Sequence, residues 1–517
     1  MNLIIIARRL LASAATTTLV TSAISAPSFA KSPLPEPVTA LLQKANIPAD
    51  AMAVWAYPLT GNSQPLITHQ IDRKMQPAST MKLVTTIVAL DQLGRVHRGK
   101  TELISAGIIE GSVLKGALII KGGADTDLDL DAFANMLKTL RQRGITHIDG
   151  DVVVDRTLFQ PARLELGTPA FDEAPEFQYN VIPDALLLNF NLLSLELNSS
   201  ATDLRASINT ALEGVVVNAS AMTLIDAACS KWDDEWKLPD VKKDAANGTI
   251  TIHLKGAFPR NCKTTAQLNL LDKGDYIDRH FRAVWKQLGG TFSGSFKEAE
   301  TPTTMPVNGL NMGVLAVHQG RTFAEVVRDI NKKSDNALTR LAYLNLGVPR
   351  IFNSFPSAAN TTPTLARAEA AVRAWTARNN IDSDGLVIEN GSGLSRLERT
   401  SPQQLGSMLD VAWRSDYAPE FMSSLPVVAL DGTMRNRLKL SIAAGRARLK
   451  TGTLRNVVAL AGYVNDANNT PHVVVAMINH DNTPNGGARI LDALIDWVAQ
   501  SKPATTTTLA FDLGPQP

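Results

Sequence analysis

Pro77-Ala78-Ser79-Thr80-Met81-Lys82-Leu83-Val84-Thr85-Thr86-Ile87-Val88-Ala89-Leu90 is the stretch on which the reading of this chain turns. Leu83, Val84, Ile87, Val88 and Leu90 recur at helical spacing, so the periodicity predicts a helix with one apolar face that begins near Ser79. Residues three apart share a helix face, which brings the Lys82 amine within reach of the Ser79 hydroxyl. A helix start also presents unpaired backbone N–H groups and a partial positive charge, an environment that stabilises the oxyanion of an acyl-transfer intermediate. Ser-x-x-Lys is common by chance, and the chain carries it again at Ser112-Val113-Leu114-Lys115. That copy follows Gly111 in an alternating, strand-like segment where the two side chains point to opposite faces, so Ser112 is set aside.

Two more elements bear on the same chemistry: Ser334-Asp335-Asn336 at a junction of helical segments, and Lys450-Thr451-Gly452-Thr453 in a strand-like run. A buried serine nucleophile needs a proton acceptor, a relay to the leaving amine, and donors for the substrate amide and carboxylate; Lys, Ser, Asn and Lys-Thr supply these. Taken singly, each has a bland explanation. Ser79 could be a helix N-cap, Ser334-Asp335-Asn336 an Asx-type turn, and Lys450 a solvated lysine at a strand end. Ser207-Ile208-Asn209 shows how little Ser-x-Asn means alone. The ordered combination carries the argument. A lysine of ordinary pKa near 10.4 is neutral at pH 7 only at a cost of about 4.6 kcal/mol, and burial plus a nearby cation such as Lys450 can impose it.

Around these motifs the chain has 517 residues, 44% hydrophobic and 19% charged, which is globular composition and too long for one core. Lys plus Arg number 51 against 49 Asp plus Glu, with no run of like charge, so a nucleic-acid or other polyanion partner has no support. The pattern predicts a short helix over 38–45, then strands over 51–57 and 65–70 about a Thr60-Gly61-Asn62 turn. From Thr101 to about Arg321 it changes to short alternating segments, such as Ala117 to Ile120 and Asp151 to Val154, and reads as β-rich. Pro302, Pro306 and the threonines between them mark a linker or surface loop. Helical spacing returns over 322–346; strands follow near 446–453, 457–464 and 472–478, then a helix faced by Ile490, Leu494 and Val498. Residues 501–517 read as a loose tail.

Arg8 and Arg9, the mildly apolar run from Leu10 to Ala26, and Ser28-Phe29-Ala30 together read as a signal peptide over 1–30 with cleavage near Ala30. The threonines and serines within the run and Pro27 after it argue against a transmembrane anchor. Export favours a disulfide between Cys229 and Cys262 over two buried, inert thiols, and closing that loop is worth roughly 3.7 kcal/mol. Eight histidines show no His-Glu-x-x-His or Cys-His pairing, so no metal is expected. Lys121-Gly122-Gly123 and Gly391-Ser392-Gly393 lack the phosphate-loop patterns, so no nucleotide cofactor is expected. His480 beside Asp481 reads as structural, and Trp232 and Trp236 as packing residues.

The three motifs in this order resemble the active-site serine penicillin-interacting enzymes. The long separation between Ser79 and Ser334 is similar to that of the class C low-molecular-mass penicillin-binding proteins, D-alanyl-D-alanine carboxypeptidases and endopeptidases with domains inserted after the Ser-x-x-Lys helix. Lys121 to Asp125, Gly150 to Asp155, Asn390 to Arg396 and Leu430 to Met434 extend the likeness over nearly the whole chain; Asn390, where many relatives carry Asp, and Ala124, where Gly is usual, depart from it. The resemblance implies an α+β multidomain protein. Its β-lactamase/transpeptidase-like catalytic domain, an antiparallel sheet flanked by helices, would take 31–96 and 318–500, with β-rich inserted domains over 97–190 with 271–317 and over 191–270. By the same likeness Ser79 is the nucleophile, Lys82 its base, Ser334 a proton relay and Asn336 a ligand of the substrate amide. Lys450 and Thr451 would hold the terminal carboxylate, Gly452 belongs to the same binding strand, and the N–H groups of Ser79 and Thr453 would form the oxyanion hole. Asp155 would contact the diamino acid of the stem. The implied protein is an exported, periplasmic D-Ala-D-Ala carboxypeptidase and/or D,D-endopeptidase acting on peptidoglycan peptide stems and acylated by β-lactams. A β-lactamase is the alternative within the superfamily, although no Glu-x-x-Leu-Asn deacylation motif lies near Glu369; a non-catalytic cell-wall-binding protein is the alternative outside enzymes.

Overall fold

Strands Val457–Asn465 and Pro471–Asn479 are unbroken apolar runs, buried at every position but their ends, which is the signature of strands covered on both faces. They are the centre of a five-stranded antiparallel sheet in the order Ala447–Leu454, Val457–Asn465, Pro471–Asn479, Met52–Pro58, Ile67–His69. The first long strand of the chain thus pairs with the last, Met52 opposite Ile478. The computed structural model describes residues 32–60, 64–301, 312–349 and 362–502. The expected signal peptide, Gly61 and Asn62 of the turn, Pro302, Pro306 and the tail beyond 502 lie outside the described residues.

One face of the sheet is covered by the terminal helices Glu36–Lys44 and Gly487–Gln500, whose Val38, Leu42, Ile490, Leu494 and Val498 pack on Val54 and Val474. Helices Met81–Leu93, Phe323–Lys333, Asn336–Leu346, Pro402–Arg414 and Ala418–Ser424 build the other face, over Val473, Val475 and Met477. Helix Met81–Leu93 differs from the expected one-faced helix: every residue from Met81 to Leu90 is buried. It is the central helix, so Thr85, Thr86 and Lys82 are enclosed with the apolar side chains, and the hydroxyls bond to the carbonyls of Gly391 and Lys82. Residues beginning the helix form a single 3-10 turn, Ala78–Thr80.

Between these two blocks the chain builds sheets of its own. Lys100–Glu110 and Val113–Gly123 make a long hairpin at the centre of a seven-stranded sheet, closed at one edge by Met312–Gln319, where His318 sits opposite Thr101. A three-stranded sheet centred on Leu193–Ser199 and a four-stranded one around Ile250–Pro259 follow. A single apolar cluster runs through all three sheets, from Leu103 through Leu195 and Leu254 to Phe281. The β-rich reading of this region missed two amphipathic helices, Leu130–Gln142 and Lys273–Gln287. Their signals were present: Asp129 and Asp272 cap them, and Phe133, Met136, Leu137 and Leu140 fall on one face. The chain is α+β, an antiparallel sheet flanked by helices with a β-rich insertion, and among the described residues no helix is long and apolar enough to cross a membrane.

Trp232 and Trp236 pack edge to face with ring centroids 5.5 Å apart. Nearby, Cys229 and Cys262 are disulfide-bonded across a sequence separation of 33. Replacing both cysteines by alanine is expected to lower the unfolding free energy by up to about 3.7 kcal/mol, read by thermal or denaturant unfolding. An unchanged transition would mean that the lobe keeps its structure without the bond.

Candidate active site

Ser79 lies in the 3-10 turn at the head of the buried helix, half-exposed on an otherwise closed surface. Ala78 before it is held at φ 46°, a left-handed conformation that a residue with a Cβ adopts only where its surroundings enforce it. Two glycines make that possible. Gly393, itself at φ 79°, lies so close that a Cβ there would overlap the Ala78 carbonyl, and a Cβ on Gly452 would stand 3.0 Å from the Ser79 nitrogen. The Ala447–Leu454 strand and the 389–393 turn therefore clamp the serine from two sides.

Lys82 is wholly buried. Its Nζ is 3.1 Å from Ser79 Oγ and 2.6 Å from Asn336 Oδ1, and it also donates to the Ser392 carbonyl. Two of these partners can only accept. A neutral amine gives its two hydrogens to Asn336 and Ser392, which leaves its lone pair for the Ser79 hydroxyl. Burial is the main cause that lowers the Lys82 pKa to about 7; Glu398 and Asp335 oppose it, and Arg340 adds to it. Burial is the larger part of what the sequence anticipated, the charges of Lys82 and Lys450 repel each other, and Arg340 is a further cation that the sequence did not suggest.

Lys450 is equally buried and is no solvated strand-end lysine. Its Nζ donates to Ser334 Oγ at 2.8 Å and to the Thr451 carbonyl at 2.9 Å. Burial pushes its pKa well below the usual lysine range, and the charge of Lys82 pushes it further. Ser334 occupies the left-handed region, φ 61° and ψ 40°, at the break between helices Phe323–Lys333 and Asn336–Leu346. The break is held by Asp335, whose carboxylate accepts from the Leu338 N–H to cap the second helix. That cap places Asn336 on the first helical turn, facing Lys82.

The structure thus brings Ser79, Lys82 and Asn336 into one hydrogen-bonded group, links Ser334 to Lys450, and lays Gly452 against the backbone of Ser79. Thr451 donates to Thr433 Oγ1 at 2.8 Å, and Thr453 is exposed on the same strand. Asp155 is not part of this group. Its buried carboxylate accepts from the backbone and hydroxyl of Thr157 and of Thr301, so its oxygens are consumed within the inserted sheet.

Sequence reasoning missed several participants. The Ser392 carbonyl on Lys82 and the Tyr179 carbonyl, which accepts from Asn336 Nδ2 at 2.9 Å, are backbone atoms that no residue type announces. Thr433 stands in a turn pinned by Asp431, which accepts from Lys332 Nζ at 2.6 Å and from the Val427 N–H at 2.8 Å. Asn390 accepts from the Ser392 N–H at 3.0 Å and hydroxyl at 2.6 Å, a task for which an uncharged amide oxygen suffices.

Among known proteins, the D-Ala-D-Ala carboxypeptidase 3 (S13) family matches residues 34–501. The D-alanyl-D-alanine carboxypeptidase DacB of Haemophilus influenzae is 25% identical over 410 residues, covering 78% of this chain and 80% of that one. A D-alanyl-D-alanine carboxypeptidase of Actinomadura sp. (strain R39) is 25% identical over 421 residues, covering 78% and 73%. In three dimensions, penicillin binding protein 4 (dacB) from Haemophilus influenzae, complexed with a novel β-lactam, aligns with TM-score 0.66 and 23% identity over 86% of this chain and 92% of that one. The match takes in the helix of Ser79, the inserted sheets and the returning strands alike, and the chain belongs to the D-Ala-D-Ala carboxypeptidase 3 (S13) family.

Proposed function

We propose that this member of a carboxypeptidase family cleaves the D-Ala-D-Ala end of peptidoglycan stem peptides, and D-amino-acid cross-links of the same chemistry, through an acyl-enzyme on Ser79. One observation supports this above the others: a buried amine with a pKa of about 7 has two acceptor-only partners and directs its remaining valence at the Ser79 hydroxyl.

Neutral Lys82 takes the Ser79 proton as Oγ bonds to the carbonyl carbon of the penultimate D-alanine. The carbonyl oxygen becomes an oxyanion facing the N–H groups of Ser79 and Thr453, at the start of the helix. The C–N bond breaks as the leaving amine takes, through the Ser334 hydroxyl that Lys450 orients from 2.8 Å away, the proton that Lys82 removed from Ser79, which leaves Lys82 neutral again. Water then adds to the ester and restores Ser79, so the net reaction consumes one water and releases D-alanine or the severed cross-link. Asn336 holds the peptide amide, while Lys450 and Thr451 face the terminal carboxylate. Placement outside the cytoplasm, after cleavage near Ala30, fits the N-terminal pattern and the paired cysteines.

Two lysines desolvated side by side destabilise a fold, and a protein that only binds wall fragments gains nothing from them. This favours catalysis over the binding reading. A defined pentapeptide is expected to lose D-alanine, and penicillin to leave a persistent adduct on the peptide containing Ser79, both absent in Ser79→Ala; mass spectrometry reads all of these. Rapid penicillin turnover would instead indicate a β-lactamase, and neither product nor adduct would indicate a binding protein. Lys82→Arg keeps the charge and cannot deprotonate, so acylation is expected to fall by about 10²–10⁴-fold. Acylation at the wild-type rate in that variant would refute Lys82 as base.

A further inference from the structure

Glu398 is a fully buried carboxylate that the mechanism above does not use. Its Oε1 accepts from the N–H groups of Glu389, Asn390 and Gly391 at 3.2, 3.1 and 2.8 Å, and its Oε2 from the Gly393 N–H at 2.7 Å. Four backbone donors converge on one side chain. The turn they belong to is the one whose Ser392 carbonyl meets Lys82 and whose Gly393 abuts Ala78 and Ser79. From the other side, the Gly391 carbonyl accepts from Thr85 on the Ser79 helix.

We propose that Glu398 is the positioning residue of this active site, gathering the 389–393 turn so that Ser392 and Gly393 hold Lys82 and Ser79 in register, and supplying a negative charge that steadies Lys82 once it has taken the Ser79 proton.

Hydrogen-bond counting argues that the carboxylate is ionised. All four partners bring hydrogens and none offers an acceptor to a carboxyl proton, so they favour the charged form against the burial that raises the Glu398 pKa. The charged and titratable groups around it come from every packed element. Lys82 lies on the Ser79 helix; Asp335 and Arg340 lie at and beyond the start of the Asn336–Leu346 helix, which also carries Tyr343 beneath Gly391. The turn itself contributes Glu389, which accepts from Ser395, and the Thr364–Arg378 helix carries the Glu369–Arg373 ion pair. Within this set Glu398 favours the protonated form of Lys82, opposing burial and Arg340. A carboxylate here therefore keeps the base from titrating too low to accept a proton, while the hydrogen bonds keep it in place.

This inference rests on Lys82 being the base, and the experiment separates the two. The second-order acylation constant for penicillin is measured against pH for the full-length wild type, Glu398→Gln and Glu398→Asp, with the active fraction counted from the adduct. In the wild type the acid limb should fall near pH 7. Glu398→Gln removes the charge and turns an N–H toward backbone donors, so the limb should move to lower pH by about one unit and the plateau drop about tenfold or more. Glu398→Asp keeps the charge but is one methylene short, so the plateau should drop with the limb unmoved. A Glu398→Gln enzyme whose limb and plateau per active site match the wild type would overturn the positioning role and leave Lys82 as base. If that variant does not fold, a Glu398→Asp plateau equal to the wild type overturns it equally. A wild type with no acid limb near pH 7 would overturn both readings.

Discussion

The enclosure of the Lys82 amine among Ser79 Oγ, Asn336 Oδ1 and the Ser392 carbonyl is the constraint to which the rest of the catalytic half answers. Each partner comes from a different element: the turn before the helix, the start of a second helix, and a turn between helices. None holds its place alone. The helix that carries Lys82 is buried from Met81 to Leu90 because helices on every side exclude water from it, and that exclusion makes a lysine accept protons near neutrality.

Local conformations around the cleft are unfavourable, and the packed surroundings impose them. Ala78 and Ser334 both take left-handed backbone angles, and two lysines are desolvated together. The sheet compensates with strands buried on both faces, and the break at Ser334 is framed by helices capped on either side of it, Thr322 and Glu325 at the start of the first and Asp335 at the start of the second. The inserted region also reaches the site through its main chain. Tyr179 accepts from Asn336, and the carbonyls of Asn180 and Val181 accept from Arg340, so the insertion closes one wall of the cleft. Behind that wall, Arg156, Asp184 and Lys273 form a buried ion network that fixes the segment.

Much of the fold was legible because apolar period and order are local properties. The strands over 446–453, 457–464 and 472–478 lie within a residue or two of those observed, and Ile490, Leu494 and Val498 are buried on the last helix as their spacing predicts. Ser-x-x-Lys, Ser-Asp-Asn and Lys-Thr-Gly were readable because each chemistry needs a particular residue type at fixed spacing. The helices at 130–142 and 273–287 were hidden by the short alternating strands on either side of them. Glu398 could not be found by type, since its role depends on four backbone N–H groups converging in space, and the occupation of Asp155 was hidden because Thr301, which bonds one of its oxygens, is far away in the sequence.

The account's central claim is that Lys82 is a neutral base at physiological pH because the fold keeps water from it. Lysine-specific isotope labelling of the full chain, with the Lys82 resonance assigned by comparison with Lys82→Arg, allows its titration to be followed directly by NMR. The account predicts a midpoint near pH 7, far from that of the exposed lysines. A Lys82 signal that titrates with the exposed lysines near pH 10.4 would contradict it.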